Sequence, residues 1–470
     1  MRTLIRFLPV IVLAPFAFAG SFADRFEEIK KTAQPGELYA FLYALPKGGD
    51  LHNHAGGAGR AEWWYAAGID PKLNGGDTLY TRVRFSGPAD PAATPTAFRT
   101  LRQFGYDRLP ATEKGNFVRL DALTPGQKQE WLDAQRLDRA GEGRDEFFNQ
   151  IWRRRGQMGS SLSIATEVLV DNMKAFGAEG LRYLETQFDG LGYLDNNGHP
   201  IPVEDGVAFI RARLAQPDAM ATGVTVRFQE TVLRFNPEAE KELEQLYLFV
   251  AAHHDLWVGL NMAGVEENGK GYPLRFLAKL RELRSRHPAV ALSIHAGEMD
   301  GPDKHIRDTL LLGATRIGHG VNLIQDPETL LLLQQTRRVL IEINLISNRL
   351  LEYVPDLRRH PFPEYLRTGI PVCLNTDDRG MWDSNLTDEY YTAVTTFDLN
   401  WDEIEELGHN SLAFSFAQPD VKARLLDDYE RAMKAFAERF SPTDSLRLLK
   451  DVRPVTYGYG RRNWHFSFAQ

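Results

Sequence analysis

Short apolar or β-branched runs recur along the chain, each separated from the next by a longer stretch. The runs are "GGDLHNH" (48–54), "LRYLETQFD" (181–189), "GVTVRFQETV" (223–232), "DLWVGLNMAG" (255–264), "AVALSIHAGE" (289–298), "TRIGHGVNL" (315–323), "VLIEINLISN" (339–348) and "IPVCLNTDD" (370–378). Stretches between them, such as "PEAEKELEQLYLFVAAHH" and "PLRFLAKLRELRSRH", place apolar residues three and four apart, as one face of a helix requires. Strands alternating with helices predict parallel βα units. Eight such units predict an α/β fold of the closed (β/α)8 TIM-barrel type. A doubly wound open sheet is the alternative. No Gly-rich dinucleotide turn follows any run, which weighs against it.

Other stretches break this rhythm. The gap between the first two runs is too long for one helix. Residues from about 71 to 160 are rich in Gly, Pro and Arg, as in "GPADPAATPTAFRTLRQFGYDRLP", before a helical aromatic piece, "GRDEFFNQIWRRRG". This predicts an insertion after strand 1. It leaves from the C-terminal rim of a barrel, where it can cover a site. The stretch from "WDEIEELGHN" to "RAMKAFAERF" predicts extra C-terminal helices packed outside the barrel. The first twenty residues, "MRTLIRFLPVIVLAPFAFAG", carry Arg2 and Arg6, an apolar run, then Ala17-Phe18-Ala19. That is the pattern of a secretory signal removed after residue 19, with Ser21-Phe22-Ala23 as a second cleavage site. The apolar run is broken by Pro9 and Pro15 and is too short to span a bilayer. The expected organisation is a signal peptide over 1–19 and one barrel domain over 20–470. The mature protein is expected to be secreted or periplasmic, with no membrane association after cleavage.

Composition narrows the function classes. A net charge of −8 gives no basic footprint for nucleic acid. The single cysteine, Cys373, excludes an internal disulfide and any Cys₄ or Cys₂His₂ zinc site. Stability must come from the core, and a chain of 470 residues can bury a large one.

Candidate chemistry gathers at the C-terminal ends of the runs. The first ends in His52 and His54, which face one side of an extended strand. The fifth ends in His295 and Glu298, the sixth contains His319, and the eighth ends in Asp377 and Asp378. Each has an ordinary reading as a rim histidine, a glycine turn or a helix cap. A barrel, however, brings these ends to one mouth. His52, His54, His295 and Asp377 then offer three imidazoles and a carboxylate. That set suits one Zn²⁺ per chain, with Fe²⁺ or Mn²⁺ as alternatives. The fourth run has no lysine to carbamylate as a bridge between two metals, so one ion is expected. A water on that ion would lose a proton near pH 7. His319 and Asp378 suit taking and steering that proton. Glu298, in an enclosed site, suits protonating a leaving group or a ring nitrogen. This predicts metal-assisted hydrolysis at an sp² carbon and leaves the substrate open.

The motifs "PKGGDLHNHAGGA", "VGLNMAG", "HAGE", "RIGHGV" and "LNTDD", in this order over roughly residues 40–430, resemble the adenosine deaminase family. The resemblance implies a (β/α)8 barrel with one zinc ion. It implies hydrolysis of adenosine, or a related 6-aminopurine nucleoside, to the 6-oxo product (inosine) plus ammonia. The small-molecule nucleoside is the expected partner. The resemblance also implies that His52, His54, His295 and Asp377 hold the metal and that Glu298 protonates purine N1. His319 and Asp378 would position the attacking water, Asp378 would also hydrogen-bond N7, and the Gly264 N–H would meet N3.

The match has departures. The family's H-x-H-L-D-G carries an aspartate that grips the ribose 5′-hydroxyl; here Gly56 stands in its place. The seventh run reads "EINLISN" where Cys-Pro commonly precedes Ser-Asn, and it keeps Ser347 and Asn348. The leader and the insertion are similar in layout to the secreted, growth-factor-related branch, whose insertion helps hold the ribose. The disulfide cysteines of that branch are absent here, and there is little room for its N-terminal dimerisation arm. Two other readings stand beside this one. The first is a mononuclear amidohydrolase acting on a different amino-purine or amide. The second is a non-catalytic secreted nucleoside-binding protein, against which the full ligand set and Glu298 argue. Deaminases of the cytidine type need H-x-E with P-C-x-x-C, which one cysteine cannot supply.

Overall fold

The computed structural model describes residues 20–85, 96–139, 141–266, 271–299, 301, 303–466 and 468. The signal sequence expected over 1–19 lies outside them. All eight predicted strands form: β1 (Gly49–His54), β5 (Tyr183–Gln187), β6 (Thr225–Leu233), β7 (Trp257–Ala263), β8 (Ala291–Ala296), β9 (Arg316–His319), β10 (Leu340–Ile343) and β11 (Val372–Leu374). They pair in parallel in chain order, from β1 through β5 to β11. The strands are covered by helices outside and by side chains inside, which is why β7 and β10 are buried at every position.

The barrel closes between its first and last strands. Asn53 pairs with Asp377, the Asp377 N–H donates to the His52 carbonyl at 2.9 Å, and the His54 N–H donates to the Asp377 carbonyl at 3.3 Å. This seam therefore sets Asp377 beside both histidines of β1. Helices such as Val203–Leu214, Ala239–Ala252 and Pro327–Thr336 connect successive strands. The long helix Pro419–Phe440 buries Leu425, Tyr429, Met433, Phe436 and Phe440. Their three- and four-residue spacing is one stripe of a helix lying on the outside.

Between β1 and β5 the chain builds a structure of its own. β2 (Leu79–Arg82), β3 (Thr100–Arg102) and β4 (Phe117–Arg119) form an antiparallel sheet with β2 central. Trp64, Leu79, Leu120, Trp131 and Met158 pack beside it against Ile164 and Val168 of the helix Leu162–Ala178. A second contact joins Leu137, Phe147 and Ile151 to Met381 and Trp382 at the mouth of the barrel. The segment Phe147–Ile151 is a widened, π-helical turn; such turns are frequent at functional sites. No described helix is long and apolar enough to cross a membrane.

Candidate active site

The structure brings every sequence-predicted site residue to the C-terminal mouth of the barrel. All but the fully buried His52 border a cavity of about 620 Å³, within the usual range for a small-molecule site. His54 Nε2 lies 3.2 Å from His295 Nε2 and 3.2 Å from Asp377 Oδ1, and His52 Nε2 lies 3.7 Å from the same oxygen. Gly264, Glu298, His319 and Asp378 line the same cavity. Asp377 and His319 adopt positive φ, 52° and 66°, an uncommon conformation for residues with side chains. The surrounding barrel holds this backbone strain at the site.

Hydrogen bonds fix which ring nitrogens face inward. His52 Nδ1 lies 2.8 Å from Glu342 Oε2 and His295 Nδ1 lies 2.7 Å from Asn261 Oδ1. Both ring contacts are to acceptors, so each Nδ1 carries the proton and each Nε2 presents a lone pair. Burial alone would raise Glu342. Arg316 and His52 instead hold it below the usual carboxylate range. Arg316 is fully buried, 2.6 Å from Glu185 and 2.7 Å from Glu342, with its guanidinium 3.8 Å over the Phe416 ring. His319 is arranged the other way. The side-chain amides of Asn344 and Asn348 approach its Nδ1 at 3.2 and 3.0 Å. Its proton therefore sits on Nε2, 3.6 Å from Glu298 Oε1. Burial, reinforced by His52, pushes His319 down to about 3, so the ring is neutral.

These residues fit a divalent cation. His52 Nε2 is buried with no hydrogen-bond partner among the described residues. Three imidazole nitrogens and a carboxylate oxygen converge with few protons to share. A cation satisfies such a set of acceptors together, and its chemistry is that of zinc sites with histidine and carboxylate ligands. A second cluster, Glu266, Asp303 and His305, also brings ligand atoms close together. Glu266 is already engaged there. It accepts from the N–H groups of Gly297, Glu298 and Met299 at 2.8, 3.0 and 3.3 Å, and lies 2.7 Å from His305 Nδ1. Against burial, His305, Arg234 and these amides hold it at about 2. This carboxylate is a clamp on the turn that carries Glu298. Arg234 braces that turn from the other side, donating to the carbonyls of Gly264 and His295.

The glycines after β1 have a steric reason. A Cβ on Gly57 would overlap the Asp378 carboxylate, and one on Gly59 would overlap Val168 and Trp64. Asp378 thus lies directly against backbone, with Oδ1 buried and unpartnered among the described residues. Burial raises Asp378 well above the usual range; His54 opposes this and the adjacent Asp377 adds to it. Arg155, from the insertion, donates to the carbonyls of Gly56 and Gly59 and ties this turn down. Phe147, Phe148 and Trp152, also from the insertion, line the cavity.

The adenosine deaminase family model matches residues 149–432, more than half of the chain. This chain belongs to the adenosine deaminase family. An adenosine deaminase of Enterococcus faecalis is 32% identical over 253 residues, covering 49% of this chain and 72% of the relative. Among solved structures, the N6-methyl-AMP deaminase of Arabidopsis thaliana superposes with a TM-score of 0.61 at 19% identity, covering 84% of this chain and 99% of that one. A zinc-bound amidohydrolase of Burkholderia ambifaria gives 0.58 at 19% identity, covering 86% and 95%. At this identity the two structures establish a shared fold. As a member of the adenosine deaminase family, the protein is a hydrolytic deaminase that acts on a C–N bond of adenosine-like purines.

Sequence reasoning missed the residues that orient and brace the site: Glu342 and Asn261 on the ligands, Asn344 on His319, Glu266 on the Glu298 turn and Arg155 on the turn after β1. A signal was present for the first, since Glu342 is a charge in the middle of the apolar run "VLIEINL".

Proposed function

We propose that the protein is a zinc-dependent deaminase converting adenosine, or a closely related 6-aminopurine nucleoside, to the 6-oxo product and ammonia. The observation that carries this reading is the convergence of His52, His54, His295 and Asp377 beside Glu298, His319 and Asp378 at one cavity. His52, His54, His295 and Asp377 would hold the ion. Bound there, Zn²⁺ would lower the pKa of water to about 7 and supply a nucleophile at neutral pH. Asp378, a carboxylate of raised proton affinity, accepts the proton of the attacking water. The His319 Nε2–H donates a hydrogen bond that holds the water in line. Glu298 delivers a proton to purine N1, which leaves C6 electron-poor. The Gly264 N–H faces N3, and Asp378 also meets N7. The water oxygen bonds to C6, the proton held by Asp378 passes to N6, the C6–N6 bond breaks as ammonia leaves, and the remaining hydroxyl proton returns to Glu298 as the 6-oxo group forms. The relatives named adenosine deaminase and N6-methyl-AMP deaminase support a purine, and the zinc-bound amidohydrolase supports the metal.

The test is ammonia release from adenosine by purified protein of measured zinc content. Stoichiometric inosine and ammonia are expected; a folded, zinc-loaded sample inert toward every 6-aminopurine would overturn the reading. Glu298→Gln is expected to keep its zinc and lose ~10²–10⁴ in kcat, the usual worth of a general acid. Turnover near the wild-type level would remove Glu298 from that role.

Export is part of the same proposal. Cleavage after Ala19 leaves the helix Gly20–Thr32 whole, whereas cleavage after Ala23 removes Phe22, which is buried edge-on against Trp401 at 4.5 Å. The expected mature N-terminus is therefore Gly20. Intact-mass measurement of exported protein checks it, and a chain retaining residues 1–19 contradicts it.

A further inference from the structure

The catalytic groups occupy only part of the cavity. On the β5 and β6 side its wall is acidic. Asp189 follows β5, Glu230 lies within β6, and Glu242 lies on the helix Ala239–Ala252; no described lysine or arginine lines the cavity. Glu230 is the most informative of the three. It is 1% exposed, its Oε1 accepts from the Gly190 N–H at 2.6 Å, and its Oε2 has no partner among the described residues. A buried carboxyl oxygen left unpaired is costly, and at a cavity wall a ligand can relieve that cost.

The three acids are not equivalent. Burial, and then the Asp189 charge, push Glu230 well above the usual carboxylate range, and a carboxyl that holds its proton can both donate and accept. Asp189 lines the cavity while exposed to solvent; desolvation and then the Glu242 charge raise it only to about 6, so it is ionised at neutral pH. Glu242 accepts from Asn236 Nδ2 at 3.2 Å and from the Leu233 N–H at 3.5 Å. On the β1 side the wall offers no competing polar group at Gly56. The Trp152 ring lies 3.1 Å from where a Cβ would stand there.

We propose that Asp189, Glu230 and Glu242 form the sugar end of the cavity and select an unphosphorylated nucleoside over the matching nucleotide. Glu230 hydrogen-bonds a sugar hydroxyl, and the charges of Asp189 and Glu242 exclude a 5′-phosphate. This inference rests on the purine-deaminase reading above. It assigns to this wall a choice that the metal cluster and Glu298, which meet only the base, cannot make.

The experiment compares adenosine, adenosine 5′-monophosphate and adenine as substrates of the zinc-loaded full chain, with ammonia as the readout. The expected kcat/KM for adenosine exceeds that for the monophosphate by about 100-fold or more, because two carboxylates and no described lysine or arginine face the incoming phosphate. Glu230→Ala is expected to raise KM for adenosine about tenfold or more with kcat nearly unchanged, the mark of a binding contact, and Glu230→Gln to recover most of it. The Asp189→Asn/Glu242→Gln double variant is expected to narrow the adenosine-to-monophosphate gap about tenfold or more. A general loss of folded protein would lower both substrates and leave that ratio alone. Comparable turnover of the monophosphate by wild type, preference for adenine, or an unchanged KM in Glu230→Ala would overturn the inference while leaving a deaminase. No turnover of any of the three would remove the functional reading beneath it.

Discussion

Gly57 and Asp378 show how closely single residues are fitted at this site. The glycine leaves the space that the carboxylate occupies, so a methyl group there must displace it. Gly57→Ala is expected to lower kcat about 100-fold with zinc content unchanged, because small misplacements of a reacting group have effects of that size. Gly126→Ala, on the exposed side of the helix Pro125–Asp133 with open space around it, is the matched control and is expected to leave kcat unchanged. Equal effects of the two substitutions would contradict the steric account. His360 supports the same site from below. It is fully enclosed, with Nδ1 accepting from the Phe362 N–H at 3.0 Å and Nε2 donating to Asn348 Oδ1 at 3.1 Å. Burial pushes it from 6.5 down to about 3. A histidine depressed in the fold stabilises above its unfolded pKa. That contribution is lost as pH falls from about 6.5 toward 3, at roughly 1.4 kcal/mol per pH unit. In urea titrations His360→Gln is therefore expected to be less stable than wild type at pH 7 and to close that gap by pH 4.5. Parallel stability curves would refute this.

The insertion between β1 and β5 acts on the site through Arg155 and the turn Phe147–Ile151. Arg155 reaches two carbonyls of the 55–59 turn at once, and burial lowers it to about 9 although Asp378 opposes the shift. Arg155→Ala is expected to speed amide exchange over residues 55–59 and to lower kcat. Arg155→Lys is expected to restore activity only in part, since one ammonium cannot reproduce a two-pronged contact. Unaltered exchange in Arg155→Ala would mean that the insertion does not brace the turn. The sequence located this insertion by its length and composition but not its architecture. Its strands are three or four residues long, with little periodicity to read. Most of the barrel strands were legible for the opposite reason: they are apolar runs bounded by turn residues, with amphipathic stretches between them.

Across the whole molecule, closure of the barrel is what assembles chemistry from distant parts of the chain. His52 and Asp377 are 325 positions apart and meet at the β1–β11 seam through backbone pairing. The ligands were readable because polar residues at strand ends stand out against apolar runs. Their supports were not, because whether Glu342 reaches His52, or Asn261 reaches His295, depends on the register of strands that sequence alone does not set. Glu266 was missed for the same kind of reason: it touches the Glu298 turn through main-chain amides, which leave no trace in residue type. Among the described residues, ligand atoms gather both around His52 and at Glu266, Asp303 and His305, and the ion is assigned to the His52 centre alone. Anomalous diffraction at the zinc edge from crystals of the zinc-loaded protein tests this most directly. One strong peak is expected about 2.0–2.1 Å from the ring nitrogens of His52, His54 and His295 and bonded to Asp377. A peak at Glu266, Asp303 and His305 with none at the histidines, or no bound zinc in an active sample, would contradict it.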